Sequence, residues 1–407
     1  MPATLPDGDL APADGALPPS ALEGVGTRPF GVYVHVPYCA TRCGYCDFNT
    51  YTAAELGPGV SREAYADQAV AELHLARGVL GAIDVPVSTV FFGGGTPTLL
   101  PPDDLGRVLA AVDAEFGLAP GAEITTEANP ESVDLSSLAR LREHGFTRVS
   151  FGMQSARPHV LNALDRVHTP GQAERSVAEA RSAGFEHVNL DLIYGALGET
   201  DADWQASLDA AVSSGANHIS AYALIVEPGT HLAGRVRRGE VPAPDEDVLA
   251  DRYLMADETL ARAGFGWYEI SNWARGAGAR CHHNLLYWTG GHWWGAGPGA
   301  HSHVGGVRWW NRKHPAAYAA RLARGESPAQ AREILSPEER RLERVMLETR
   351  LASGCRVDIL GEGANGSAVS RAVERGLAEH DAYARGRVVL TRRGRLLADA
   401  VIRDLVA

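Results

Sequence analysis

Cysteine and long apolar runs are the features that this sequence has little of. Only 5 of its 407 residues are cysteine, and an odd number of cysteines in a long chain without an export signal argues against a disulfide framework. No apolar run approaches the length of a membrane span. Basic residues are outnumbered, and the net charge of −12 argues against broad, non-specific nucleic-acid binding. The hydrophobic content of 45% is nevertheless typical of a globular protein.

Three of the five cysteines lie in one short loop, as Cys39, Cys43 and Cys46, directly after the apolar stretch 31–36. Their C-x3-C-x2-C spacing lets the thiolates wrap one inorganic centre. Three thiolates cannot occupy all four corners of a four-iron cluster, so one iron is left open for a ligand that is not protein. A zinc site would need a further ligand from elsewhere in the chain. The loop therefore favours an iron–sulfur cluster and leaves zinc as the alternative. It resembles the signature of radical S-adenosylmethionine (SAM) enzymes.

Short β-branched or aromatic runs alternate with amphipathic stretches from residue 31 onward. This alternation predicts successive βαβ units and a parallel sheet. Six units suit a partial (β/α)6 barrel, whose functional residues lie at the carboxyl ends of the strands. The predicted strands span 31–36, 89–92, 123–127, 148–152, 187–193 and 218–224, and the predicted helices between them span 62–78, 102–116, 135–143, 171–183 and 201–214.

Two later regions depart from this rhythm. Seven of the eight tryptophans lie within 267–310, among many histidines and glycines. After about residue 337 the sequence is charged and mainly helical, with a strand-like stretch at 387–390, and this suggests a small winged-helix-like module. The predicted organisation is a disordered Pro/Ala-rich tail over 1–27, the barrel over 28–265, a Trp/His-rich segment over 266–336 and a helical domain over 337–407.

Polar residues follow several predicted strands. Consecutive glycines at 93–95 can bring backbone N–H groups close to a carboxylate, and Arg166 can pair with one. Singly, such a glycine turn, carboxylate or arginine is more often a tight turn, a cap or an ion pair, but several on one rim indicate a ligand site. The remaining members of this set are Glu127, Gln154 and Asp191, each at or just after the end of a predicted strand.

In their order along the chain these motifs resemble the oxygen-independent coproporphyrinogen III oxidase family, over about 31–400. The resemblance implies a SAM-binding partial barrel with a four-iron cluster and a helical C-terminal domain. It implies that Cys39, Cys43 and Cys46 hold the [4Fe–4S] cluster. It also implies a set of SAM-binding residues, namely Tyr33, Tyr45, Gly94, Gly95, Thr96, Glu127, Gln154, Arg166 and Asp191.

Three features favour one branch of that family, the heme chaperones called HemW. True oxidases carry a fourth cysteine two residues after the last cluster cysteine, where this chain has Phe48. They also have a structured extension before the barrel, where only the predicted tail precedes residue 31. The H-N-x-x-Y-W run at 283–288 resembles the heme-binding motif of HemW, and it implies heme contacts at His283, Asn284, Tyr287 and Trp288, with His283 as the expected iron ligand. The alternative is that these aromatics are simply core.

The resemblance therefore implies a heme chaperone of the cytoplasm, or of the inner face of the membrane. Such a protein would pass heme to an acceptor, for example a membrane respiratory enzyme, and would need a flavodoxin or ferredoxin as electron donor only if SAM is cleaved. No nucleic-acid partner is expected. The alternative function is an oxygen-independent coproporphyrinogen III oxidase, which decarboxylates propionate side chains by radical chemistry, and this activity is expected to be absent.

Overall fold

One mixed sheet runs through most of the molecule. The computed structural model describes residues 6–57, 60–361 and 365–406. In this part of the chain thirteen strands share one sheet and two more form a small separate one. The strands are β1 (Asp9–Leu10), β2 (Phe30–Val36), β3 (Val87–Gly94), β4 (Leu118–Ala128), β5 (Arg148–Gln154), β6 (His187–Tyr194), β7 (His218–Ala223), β8 (Gly266–Glu269), β9 (Asn272–Ala274), β10 (His292–Ala296), β11 (His301–Val304), β12 (Val307–Asn311), β13 (Ala329–Ile334), β14 (Cys355–Arg356) and β15 (Arg387–Val388).

Helices connect the strands, and the sequence marks where several begin. Asp134 and Thr200 each accept a hydrogen bond from a backbone N–H of the first turn that follows them. None of the helices in the described ranges is long and apolar enough to cross a membrane. The helices are α1 (Pro19–Leu22), α2 (Ala53–Leu56), α3 (Tyr65–Leu80), α4 (Pro102–Phe116), α5 (Leu135–Glu143), α6 (Pro158–Ala163), α7 (Gln172–Ser182), α8 (Asp201–Ser213), α9 (His231–Arg237), α10 (Glu246–Arg262), α11 (His282–Trp288), α12 (Pro315–Leu322), α13 (Pro337–Glu348), α14 (Asn365–Glu374), α15 (His380–Ala384), α16 (Arg392–Leu396) and α17 (Ala398–Val406).

Strands β2 to β7 are parallel neighbours in chain order. This confirms the predicted α/β fold with a partial barrel. Side chains alternate along each strand: in β2, Val32 and Val34 are fully buried in the main core, whereas Tyr33 lies on the opposite face, which lines the inside of the barrel. The carboxyl ends of the six strands therefore meet at one rim.

The Trp/His-rich segment continues the same sheet at both sides. Strand β10 pairs in parallel with β2, and β11 to β13 follow in antiparallel order. On the other side β9 and β8 extend the sheet beyond β7. Trp273, Trp294 and Trp310 are at most 2% exposed, so these tryptophans are core residues, as the alternative interpretation of the aromatic stretch expects.

Residues 6–27 differ from the predicted disordered tail. Strand β1 pairs with β13, and Ala21 and Val25 are 1% and 0% exposed within the main core. A few small apolar side chains in a Pro/Gly-rich stretch are enough to dock it, although composition alone indicates disorder. Because residues 6–27 are structured, this stretch no longer distinguishes the heme chaperones from the oxidases, which also have a structured extension before the barrel. Residues 1–5 of the predicted tail lie outside the described residues.

The C-terminal region has its own apolar cluster, which includes Val345, Val369 and Leu405. It is mainly helical, and β14 and β15 form its two-stranded sheet, in agreement with the predicted helical module. Arg395 joins it to the barrel: its guanidinium donates to Asp257 at 3.0 Å and lies 4.3 Å from the ring centre of Trp267.

Candidate cofactor site

A cavity of about 420 Å³ opens at the carboxyl ends of the barrel strands. The three clustered cysteines line it, as do all of the residues predicted to bind SAM except Tyr33. In parallel barrels the functional residues lie at the carboxyl ends of the strands, a tendency called the rim rule here, and this accounts for the convergence. The predicted residues that line the cavity are Cys39, Cys43, Cys46, Tyr45, Gly94, Gly95, Thr96, Glu127, Gln154, Arg166 and Asp191.

The cysteine loop is held by backbone hydrogen bonds. The N–H of Cys39 donates to the carbonyl of Tyr51 at 3.0 Å, and the N–H of Cys46 donates to that of Cys43 at 3.1 Å. Burial raises the pKa of Cys39 to about 11 and also raises that of Cys46. Because burial disfavours the thiolate form, a bound cationic centre would be needed to hold these sulfurs as thiolates.

Within the described residues, no group of three or more His, Cys, Asp or Glu side chains is arranged to hold one metal ion. The three thiols nevertheless line one cavity, an arrangement compatible with three separate iron corners of a cluster.

The glycine turn packs directly against the cysteine loop. The N–H groups of Gly95 and Thr96 donate to the carbonyls of Val36 and Tyr38, at 2.8 and 2.7 Å. A Cβ atom on Gly95 would clash with the carbonyl oxygen of Tyr38 and lie 3.1 Å from Sγ of Cys39. Glycine is therefore required at this point for a steric reason.

Two buried carboxylates face the cavity. Oε2 of Glu127 accepts the N–H of Gly94 at 3.0 Å, and burial raises the pKa of Glu127 to about 8. Burial also raises the pKa of Asp191, although Ser150 and Asn189 donate hydrogen bonds to it at 2.6 and 2.8 Å. A cationic ligand in the cavity would favour the ionised form of both carboxylates.

Arg166 reaches into the same space. Its guanidinium donates to Oδ1 of Asn129 at 2.7 Å and to the carbonyl of Gly152 at 3.0 Å, and it lies 3.7 Å from Sγ of Cys43. Its buried Nε has no hydrogen-bond partner among the described residues. Gln154 has a φ of 60°, a backbone conformation that non-glycine residues adopt rarely and mostly at special sites. Arg166 therefore lines the cavity with an unsatisfied donor, its Nε.

Several lining residues were missed from the sequence. Asn129 bonds both Arg166 and Thr96, and its place two residues after Glu127, at the end of β4, could have revealed it. The outer lining includes exposed apolar side chains, with Phe48 44% and Ile225 62% exposed. Ile225 lies just beyond β7, but no sequence motif marks it.

The predicted heme motif forms helix α11 at the opposite, amino-terminal end of the barrel. His283 is 1% exposed, its Nδ1 is 2.8 Å from the Thr89 hydroxyl, and its Nε2 is 2.7 Å from that of Tyr287. Burial lowers its pKa to about 3, so the ring is neutral. Each ring nitrogen of His283 therefore already has a hydroxyl as its hydrogen-bond partner. Asn284, Tyr287 and Trp288 are half-buried, and His282 is exposed.

Cys281 immediately precedes α11. It is 4% exposed, its thiol points to Oε1 of Glu123, and burial raises its pKa well above the ordinary value. Because the thiolate is the reactive form, this environment makes Cys281 an inert thiol.

Comparisons with known proteins agree with this arrangement. The model of the Radical SAM superfamily matches residues 33–211. The heme chaperone HemW of Mycobacterium tuberculosis is 54% identical over 93% of this chain and 95% of its own length, and that of Bacillus subtilis is 31% identical over 91% and 97%. The solved structure of coproporphyrinogen III oxidase (HemN) from Escherichia coli matches with a TM-score of 0.80 over 95% of this chain and 92% of its own, at 20% identity, and supports the fold alone.

Proposed function

Because the chain belongs to the HemW family of radical SAM proteins, we propose that it binds heme and transfers it to an acceptor protein. The family implies a [4Fe–4S] cluster and SAM as cofactors. The cavity that collects the three cysteines, the glycine turn and the two carboxylates carries the cofactor part of the proposal. The identity with HemW proteins and the H-N-x-x-Y-W run at 283–288 carry the heme part.

Cys39, Cys43 and Cys46 would hold the cluster, which would supply an open coordination site for SAM and, if SAM is cleaved, an electron. The residues of the chain then orient that ligand. The turn at Gly94 and Gly95 can approach a carboxylate closely, Glu127 and Asp191 can stabilise positive charge, and Nε of Arg166 can donate to an acceptor. Tyr45 lines the same cavity and offers a ring for stacking.

We expect heme to contact the α11 segment. Heme needs an axial ligand for its iron and apolar surface for its ring. His282, exposed at the start of α11, presents an imidazole to solvent, whereas ligation by His283 would require its ring to leave the hydroxyls of Thr89 and Tyr287. The other proposed contacts are Asn284, Tyr287 and Trp288.

A coproporphyrinogen oxidase remains the competing function. Phe48 stands where the true oxidases carry a further cysteine, and its side chain is 44% exposed at the cavity. This observation favours a protein that keeps the cofactors without oxidising that substrate. Anaerobically reconstituted protein given SAM, reductant and coproporphyrinogen III should make no protoporphyrinogen IX. Formation of that product at enzymatic rates would restore the oxidase.

The proposed partners are a heme acceptor, such as a membrane respiratory enzyme, and an electron donor such as a flavodoxin or ferredoxin if SAM is cleaved. The proposed location is the cytoplasm, including the inner face of the membrane. Membranes from heme-depleted cells, mixed with the heme-loaded protein, should regain respiratory activity. Free hemin at the same concentration is the control, and equal recovery with both would contradict a transfer role.

Hemin titration tests the heme contact itself. The purified protein should develop a Soret band, and His282→Ala and His283→Ala should be titrated separately. The matched control is His380→Ala, since the side chain of His380 is 81% exposed in the C-terminal region. No Soret band with the wild-type protein would end the chaperone proposal, and loss of the band in His283→Ala alone would assign the iron ligand to that residue.

A further inference from the structure

Helix α11 closes the amino-terminal end of the barrel, beneath the cofactor cavity. The N–H of His283 donates to Oε1 of Glu123 at 3.0 Å, and Glu123 pairs with Arg148 at 2.9 Å. Arg148 in turn donates to the carbonyls of Ala279 and Arg280, at 2.8 and 2.7 Å, just before the helix. These buried contacts hold α11 across the amino-terminal end of the barrel.

Two series of contacts, here called routes, connect α11 to the cavity. The first route is a stack of aromatic rings. The ring of His283 stacks on that of Phe91, with centroids 5.1 Å apart and planes 27° apart. Phe91 and Glu127 both pack beside Gly93, where a Cβ atom would lie 2.8 Å from the Phe91 ring and 3.0 Å from Oε2 of Glu127. The same Oε2 accepts the N–H of Gly94. His283 therefore supports the side chain that packs beneath the glycine turn and Glu127.

The second route is a chain of hydrogen bonds through the barrel. The N–H of Cys281 donates to the hydroxyl of Tyr268 at 3.2 Å, and that hydroxyl lies 2.7 Å from Nε2 of His218. Nδ1 of His218 is 2.5 Å from Oδ1 of Asn189, whose amide donates to Asp191 at 2.8 Å. The donors agree in direction: the Tyr268 hydroxyl donates to Nε2, and the N–H at Nδ1 donates to Asn189. The chain ends on the second carboxylate of the cavity.

We propose that helix α11 positions the SAM cavity from below, with His283 and Tyr268 as positioning residues for Glu127 and Asp191. This inference rests on the proposed function, in which the cavity binds SAM. It gives the H-N-x-x-Y-W run a task apart from direct heme contact. It also couples the two ligands, because a heme that drew His283 out of the barrel would remove the support beneath Glu127 and weaken SAM binding.

The test is the affinity of the anaerobically reconstituted protein for SAM, measured by equilibrium dialysis. His283→Ala should weaken SAM binding about ten-fold, because it removes two buried hydrogen bonds and the ring beneath Phe91. Tyr268→Phe removes one hydroxyl from the second route and should weaken it about three-fold. The control Thr289→Ala alters an exposed residue at the end of α11, whose hydroxyl bonds the carbonyl of Leu285, and should stay within about two-fold.

A purely structural role would lower the unfolding temperature and leave the SAM affinity of the folded variants unchanged. His283→Gln keeps a planar side chain with a donor and an acceptor, and should restore part of the affinity lost in His283→Ala. If His283→Ala does not fold, the SAM affinity of Tyr268→Phe tests the inference in its place. Wild-type affinity in both variants would overturn the inference alone, whereas a wild-type protein that fails to bind SAM would overturn the proposed function as well.

Discussion

The side-chain amide of Asn49 donates to the backbone carbonyl of Pro298 at 2.9 Å, and so joins the end of the cysteine loop to the glycine-rich turn after β10. The same amide nitrogen donates to the carbonyl of Lys313 at 2.9 Å. The carbonyl of Asn49 lies 2.9 Å from Nε2 of His35, on β2. Asn49 is 6% exposed, and it therefore acts as a buried clamp between the barrel strand, the cofactor loop and the Trp/His-rich segment.

Replacement of Asn49 by alanine should loosen the cysteine loop. Both carbonyls would lose the hydrogen bond from Asn49, so the free energy of unfolding should fall by about 2 kcal/mol. Urea denaturation measures this change, and the iron bound per chain after anaerobic reconstitution measures its effect on the loop. Ser61→Ala, an exposed change next to Glu63, is the control. Unchanged stability and iron content in Asn49→Ala would show that the clamp is dispensable.

Gly95→Ala should prevent the cysteine loop from closing on the glycine turn. Its new methyl group would clash with the carbonyl of Tyr38 and press on Sγ of Cys39, so we expect at least a several-fold loss of bound iron. The absorbance of the reconstituted protein at about 400 nm, typical of thiolate-bound iron, measures the loss. Gly278→Ala, where a Cβ atom would meet none of the described residues within 4 Å, should keep the full absorbance. Normal iron content in Gly95→Ala would contradict the close approach.

Arg166→Lys should weaken SAM binding about ten-fold while the protein stays folded. Lysine keeps the charge but has a single nitrogen, whereas Nη2 of Arg166 bonds Asn129 and Gly152 while Nη1 reaches Sγ of Cys43. It also lacks the free Nε donor. Equilibrium dialysis with SAM measures the effect, and the exposed Arg324→Lys, whose side chain is 54% exposed, serves as the matched control. Equal SAM affinity in the two variants would show that Arg166 does not contribute to SAM binding.

Glu127 should make the cofactor-free protein lose stability as the pH rises. Its pKa of about 8 in the folded chain lies above the ordinary 4.5, so its favourable contribution is complete below about pH 4.5 and is lost as the pH rises through about 8. The slope is at most about 1.4 kcal/mol per pH unit, and is smaller because the cavity admits water. Buried histidines such as His283, with its pKa of about 3, oppose this trend below about pH 6.5.

The difference between wild type and Glu127→Gln isolates that one group. Urea denaturation of both proteins between pH 6 and 8.5 should show the glutamine variant gaining relative stability with pH, because its amide does not ionise. Parallel curves over this interval would mean that the folded pKa of Glu127 is not raised. With SAM bound, its positive charge should favour the ionised carboxylate and flatten the difference.

Local patterns predicted the barrel well. The predicted helices 102–116 and 135–143 coincide with α4 and α5, and the predicted strand 31–36 lies within β2, because the apolar period and the flanking turn residues specify such elements locally. Composition failed for residues 6–27, where Ala21 and Val25 are buried. Docking of a short segment depends on the surface that receives it, and no local pattern describes that surface.

In the candidate site, too, local patterns located some residues and only tertiary contacts located others. The rim rule brought the cysteine loop, the glycine turn and Glu127 to one cavity without knowledge of any contact. Asn129 escaped notice because an asparagine after a strand is common in any turn, and Ser150 because a serine within a strand belongs to no motif. The position of His283 could not be derived either: the motif suggested a heme ligand, but the ring lies inside the barrel between Thr89 and Tyr287.

The sequence by itself determined the spacing of Cys39, Cys43 and Cys46, the alternation of strands and helices and, through them, the rim where the cofactors are expected. These features depend on neighbours a few residues away. Only the tertiary structure decided that α11 closes the base of the barrel, since the contact of His283 with Thr89 joins positions 194 residues apart. Such contacts form when the folded partial barrel brings distant strands and helices together, and the burial they create determines which side chains remain free to bind a ligand.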